Sequence, residues 1–308
     1  MRLRCGGRVD ATPRVCTLAP SSAASIVQCK VRPRDLNLER RFMASLAVQG
    51  KVEKQIQILG VTLNPLTMSE LTALVEQTAE CGERRIFANH NLHSVYLFQN
   101  SAVMREFYRL AYCTYVEGMG VLMLARMCGY PLPRSNRVAN IDWLGPLMQL
   151  ASERGWRVYF LGAEPGVGEK AAANLQARFP GLQVRTEHGF FDRNSHENDE
   201  VLERIRSYKP QLLVLGLGMP LQEEWTVKNW ERIDANAIFN AGNLVRFVAE
   251  VVPTPPRWTG QLGIEWLYRL LAEPRKLWRR YLIEPLTLLV PLALQRFRGN
   301  GIRNSVKD

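Results

Sequence analysis

The chain is poor in the residues that build metal centres and covalent cross-links. Its four histidines, His90, His93, His188 and His196, show no zinc-ligand spacing. Its six cysteines include no C-x-x-C pair: Cys5, Cys16 and Cys29 lie near the N-terminus, and Cys81, Cys113 and Cys128 further along. A disulfide framework is not expected; reduced thiols in a cytosolic compartment are. No stretch offers about 18 uncharged apolar residues, so no membrane-spanning helix is expected. The apolar run 286–294 is too short, and Pro285 and Pro291 are expected to break it. The Arg-rich N-terminus has no apolar core of the kind a secretory signal carries. The chain also has no G-x-G-x-x-G turn followed by an acidic residue, no P-loop and no Asp-x-Asp after an apolar run. These absences weigh against a nicotinamide-dependent oxidoreductase and against a metal-held nucleotide.

What is present is a 308-residue chain, 46% hydrophobic, with a formal net charge of +11. The charge is uneven. Residues 1–43 carry nine Lys/Arg against three Asp/Glu, and residues 251–308 carry ten against four. The intervening residues are nearly balanced. The reading is a basic N-terminal tail over 1–50, expected to be disordered, with Met43 as an alternative start; an α/β domain over 51–250; and a basic, aromatic C-terminal appendage over 251–308. Basic ends favour anionic partners, such as lipid head groups or phosphorylated substrates. No nucleic-acid-binding motif is present, and no nucleic-acid partner is expected.

From residue 55 the pattern alternates short apolar runs with amphipathic stretches of helical length. Runs at 56–61, 85–88, 111–116, 157–161, 182–185, 212–216 and 237–239 read as strands. Helices are expected from Thr67 or Ser69 to about 79, from 92 to beyond 103, and over 141–154, 169–179, 199–208 and from about 222. Strands alternating with helices predict a parallel sheet covered on both faces. The run 212–215, apolar at every position, fits a central strand.

In such sheets ligands bind beyond the carboxyl ends of the strands. Polar residues follow the apolar runs at Asn89 and Asn91, at Glu117, at 162–164 and at 218–223. The string GAEPGVG at 162–168 joins a strand to a helix, whose N-terminal N–H groups suit a diphosphate. With no metal ligands in evidence, arginines are expected to offset the charge of a leaving nucleotide diphosphate. Candidates are Arg134, Arg137 and the run Arg269, Arg275, Lys276, Arg279 and Arg280. Arginines interleaved with Trp266 and Tyr281 suit a membrane interface, with Pro274 interrupting or restarting the helix.

Three strings carry a resemblance to a known family: PLP at 131–133 with RVANID at 137–142, GLGMPLQEEW at 216–225, and GIEWLYR at 263–269. In this order they resemble the WecG/TagA/CpsF glycosyltransferases of bacterial surface-polysaccharide synthesis, over residues 58–281. The resemblance implies a Rossmann-like parallel sheet flanked by helices, with a C-terminal helical membrane-associating appendage. It also implies an inverting, metal-independent transferase without a cofactor. Such an enzyme moves an N-acetylmannosamine-type sugar, or a related hexose, from a UDP-sugar to a polyprenyl-diphosphate-linked acceptor. It works as a peripheral protein on the cytoplasmic face of the cell membrane. The oligomeric state stays open, a homo-oligomer included.

Carried over by position, Glu117 stands where the family usually has an aspartate as general base. Asn91 and Gln222 match pocket amides, Asn89 stands where threonine is common, and Arg137 matches a pocket arginine. Gly162, Gly218 and Asn243 are expected along the UDP. Arg269, Lys276 and Arg279 are expected near the diphosphate. Asn140 replaces a common glycine, and NAGN at 240–243 matches the family loosely. The competing reading is a membrane-associated scaffold without catalysis.

Overall fold

The computed structural model describes residues 52–297. The tail expected over 1–50, with Met43, Cys5, Cys16 and Cys29, lies outside the described residues, as do residues 298–308. The core is a six-stranded sheet in the order β4-β3-β8-β7-β5-β6, with every neighbouring pair parallel. Its strands are β3 (Arg85–His90), β4 (Cys113–Val116), β5 (Arg157–Gly162), β6 (Gln183–Glu187), β7 (Leu212–Gly216) and β8 (Ala237–Asn240). Side chains alternate across the sheet with the period of two that a strand imposes. Phe87, Val158, Phe160, Val214 and Phe239 enter one buried cluster. Ile86, Tyr159, Leu161, Leu213, Leu215 and Ile238 enter another. Helices cover both clusters, so β7 is buried at four successive positions, as its sequence requires.

The run at 56–61 is not one strand. It folds into a separate antiparallel hairpin, β1 (Ile56–Ile58) and β2 (Val61–Leu63), because Gly60 at φ +81° turns the chain. Thr67 rather than Ser69 caps the helix Met68–Cys81, in a reciprocal arrangement with Glu70. The single helix expected from 92 past 103 is two, Leu92–Asn100 and Ala102–Leu110. Ser101 is extended at the junction, and its hydroxyl accepts from Met104 N at 3.3 Å. The helix Met119–Met127, directly after Glu117, escaped the sequence reading.

The C-terminal segment is a succession of helices: Arg257–Leu262, Glu265–Ala272, Pro274–Trp278, a π-helical turn Arg279–Ile283, and Glu284–Phe297. Pro274 starts a helix, at the position where a missing N–H does no harm. The expected break at Pro285 and Pro291 does not occur: Pro285 sits in the first turn and the helix runs on past Pro291. Leu288, 2% exposed, packs in a cluster with Val95 and Leu124, and this burial offsets a lost backbone bond. No helix among the described residues is long and apolar enough to cross a membrane.

Candidate active site

The carboxyl ends of all six strands of the sheet open on one cavity of about 750 Å³. β3 supplies Asn89 and Asn91, β4 supplies Glu117, and β5 supplies Ala163 and Glu164. The loops after β6, β7 and β8 supply Arg193, Gly218 with Gln222, and residues 240–246. The appendage closes one side with Arg269, Lys276 and Arg280. Convergence of so many loops at one sheet edge follows from the parallel topology, which points every strand the same way.

Glu117 is anchored by its own backbone, whose N–H donates to His90 O at 3.0 Å. Its Oε2 accepts from Asn91 Nδ2 at 3.0 Å. Burial pushes the carboxyl above the ordinary range; the Asn91 bond and the charges of Arg269 and Arg280 pull the other way. Asn91 performs two tasks. Its Oδ1 accepts from Ser94 N at 3.1 Å and so caps the helix Leu92–Asn100, which leaves the amide nitrogen for Glu117. Gly118 allows this approach, since a Cβ there would stand 3.2 Å from Asn91 Cβ.

Asn89 ties two strand ends together, donating from Nδ2 to Asn240 O at 2.7 Å. Gln222, 2% exposed, accepts from Gly242 N at 3.2 Å through Oε1 and so shapes the loop after β8. Gly218, Asn243, Arg269 and Lys276 line the cavity. Three residues do not. Gly162 does not face the cavity: its φ is +145°, and a Cβ would stand 2.3 Å from Gly216 C, so glycine is required for β5 and β7 to meet. Arg137 lies in an adjoining cavity of about 400 Å³, and its Nη2 donates to Glu265 Oε2 at 2.6 Å. Its charge is therefore used in holding the appendage. Arg279 is exposed and lines neither cavity. Its neighbour Arg280 in the same π-helical turn lines both cavities instead.

Arg280 is the candidate cation that enters the site without being expected at the diphosphate. The half-buried Arg280 lines both cavities, and its buried Nε has no hydrogen-bond partner among the described residues. Burial and the nearby Arg269 lower its pKa, while Tyr281, Glu117 and Glu284 hold it up. His93 contributes from the opposite wall, with Nδ1 2.5 Å from Glu284 Oε2, and so ties the appendage to the domain. Arg193 and Arg246 were missed altogether. Arg246 had a signal: it lies three residues after Asn243, on the same side of a helical turn. It faces Glu164 at 3.3 Å.

Glu223, the last residue of the polar stretch 218–223, lies next to Gln222. It is 2% exposed, and its Oε1 accepts from Gln222 Nε2 and Asn240 Nδ2, both at 2.9 Å. Burial pushes its carboxyl up to about 7, against the opposing bonds from Asn240 and Gln222. The folded chain thus keeps a proton that the unfolded chain releases near pH 4.3. This contribution to stability is complete below that value and is lost as pH rises through about 7. Glu223→Gln carries no such proton. Between about pH 5 and 8 its thermal midpoint is expected to gain on the parent by roughly 5 °C. Parallel midpoint curves in calorimetry would refute the buried proton.

A buried carboxylate, amides beside it and arginines around one cavity are the kind of set that a group-transfer enzyme uses. The chain belongs to the Glycosyl transferase WecG/TagA/CpsF family, whose profile it matches over residues 56–301, and it is a glycosyltransferase. It is similar to the N-acetylglucosaminyldiphosphoundecaprenol N-acetyl-beta-D-mannosaminyltransferase of Staphylococcus aureus strain MRSA252, at 26% identity over 235 residues. That match spans 73% of this chain and 87% of the relative. The counterpart from strain NCTC 8325 / PS 47 is 25% identical over the same shares.

Proposed function

We propose that the chain transfers an N-acetylmannosamine-type sugar from a UDP-sugar to a polyprenyl-diphosphate-linked saccharide, with inversion and without a metal. The observation that carries this reading is Glu117. It is the carboxylate at the end of β4, held by Asn91, where the cavity of strand ends meets the appendage. The names of the two staphylococcal relatives, which specify an acceptor on undecaprenyl diphosphate, support the acceptor class.

In this mechanism Glu117 takes the proton of the acceptor hydroxyl as its oxygen attacks the anomeric carbon. The bond from that carbon to the diphosphate oxygen breaks, and UDP leaves. A single displacement of this kind inverts the anomeric centre. Burial raises the basicity of Glu117, which strengthens it as a proton acceptor. Arg269, Arg280 and Arg246 offset the charge that builds on the diphosphate. The described residues contain no group of three or more His, Cys, Asp or Glu side chains placed to hold a metal ion.

Attachment to the inner face of the membrane is part of the same reading. Trp258, Trp266, Trp278, Leu271, Leu282 and Leu286 are exposed on the appendage, among arginines, as at a lipid head-group boundary. The test is transfer of labelled sugar from a panel of UDP- and GDP-sugars to an N-acetylglucosaminyl-diphosphate-polyprenol in micelles. Transfer from UDP-N-acetylmannosamine is expected. Failure of every donor, with vesicle binding retained, would support the scaffold instead.

A further inference from the structure

β3 alternates its side chains between two faces, and Ile86 and Ala88 enter the buried cluster on one of them. His90 continues that face, is fully buried, and ends the strand directly before Asn91. An apolar residue would fill this place at less cost, because a buried imidazole gives up its water. Burial holds the ring neutral, with its pKa lowered to about 3.

Two helices fix the plane of the ring. Tyr108 stacks on it with centroids 4.0 Å apart, and Phe98 meets it edge-on at 6.3 Å. Tyr108 is itself tied down, its hydroxyl donating to Asn89 O at 2.9 Å. Held this way, His90 Nδ1 lies 2.9 Å from Ser94 Oγ. Ser94 Oγ grips the backbone of Asn91 at both ends: it accepts from Asn91 N at 2.9 Å and donates to Asn91 O at 2.8 Å. The single hydroxyl proton is thereby used, so His90 Nδ1 is the donor in its bond to Ser94. A helix cap needs no such partner, since a capping box is complete with the side chains at its two positions, here Asn91 and Ser94.

Asn91 carries the chain of bonds to the reaction. Its Nδ2 donates to Glu117 Oε2 at 3.0 Å, and Ser94 N fixes the other end of the amide. We propose that His90 and Ser94 are positioning residues, which set the aim of Asn91 on Glu117 and so the place of the carboxylate beside the acceptor hydroxyl. The inference rests on Glu117 as the base, as proposed above. It accounts for an imidazole that is costly to bury and for a residue pair that lines neither cavity.

The experiment compares transfer by the full chain across pH in four variants. His90→Phe keeps a ring on Tyr108 and removes the bond to Ser94; His90→Asn gives up the ring and returns an N–H donor near Nδ1. His90→Phe is expected to lower kcat about 10- to 100-fold, with a parental donor KM and a thermal midpoint no lower than the parent's. The Asn91 bond lowers the pKa of Glu117, so loosening it moves the acid limb of the kcat profile upward, by about half to one unit. Arg269, Arg280 and Glu265, the charges that face Glu117, are unchanged in these variants. His90→Asn is expected to keep the limb in place and most of the rate, whereas a packing role predicts the reverse order. Ser94→Ala is expected to match His90→Phe, and the double variant of these two to be no slower than either, since the residues act in series. A parental rate in His90→Phe, or a loss with the limb unmoved, would overturn the proposal. Carbon-13 NMR of the glutamate carboxyls, with Glu117 assigned by its absence in Glu117→Gln, reads the same titration without substrate. An unmoved Glu117 titration in His90→Phe would sink the positioning role and leave transfer standing. A moved titration in a chain that transfers no sugar would do the opposite.

Discussion

Glu117→Gln is expected to lower sugar transfer by about 10²–10⁴-fold, the range that general-base assistance spans, while leaving UDP affinity unchanged. Glutamine keeps the side-chain length and can still meet Asn91, whose Nδ2 donates to Glu117 Oε2 at 3.0 Å. It cannot accept the acceptor proton. Glu117→Asp tests position rather than charge. It withdraws the carboxylate from Asn91 by about 1 Å, and a displacement of that size costs up to ~10²-fold. Initial rates with saturating donor, together with a UDP titration, check both variants. Transfer by Glu117→Gln at the parental rate would remove Glu117 from the chemistry.

Arg280→Met is the second large effect. Loss of a preorganised donor to developing negative charge lowers kcat by about 10²–10³-fold. Methionine keeps the apolar stem that the burial of Arg280 needs, so the change isolates the guanidinium. A structural role and a charge role give different pH profiles. Arg280 lowers the pKa of Glu117, so its removal lets that pKa rise. The base is then ionised only at higher pH, and the acid limb of the kcat profile is expected to move upward. A general loss of activity with no change in the limb would assign Arg280 to packing. Arg279→Met, one residue earlier and exposed, is the control, and its kcat is expected to match the parent.

Much of the sheet could be read in advance, because strands buried on both faces must be apolar at successive positions, as at Leu212–Gly216. The candidate base, Glu117, and the amides Asn91 and Gln222 were legible for a related reason: each follows an apolar run, and parallel strands carry such residues to one edge. The appendage was harder. Arg137 was expected at the diphosphate, but its partner Glu265 is 128 positions away. Arg279 and Arg280 are equal in composition, and the helical phase set by a π-helical turn decided between them. Pro291 was expected to end a helix on local grounds, and the helix Glu284–Phe297 passes through it.

The sequence by itself determined the alternating apolar runs, the polar residues at their ends, the uneven charge and the family strings. All are local properties of neighbouring residues, so no fold is needed to see them. Only the tertiary structure decided which cations share a cavity with Glu117, that Gly162 serves strand contact, and that an apolar cavity meets the polar one at Glu117. Those outcomes depend on side chains far apart in the chain competing for the same space and charge, and spacing along the chain carries no record of that competition.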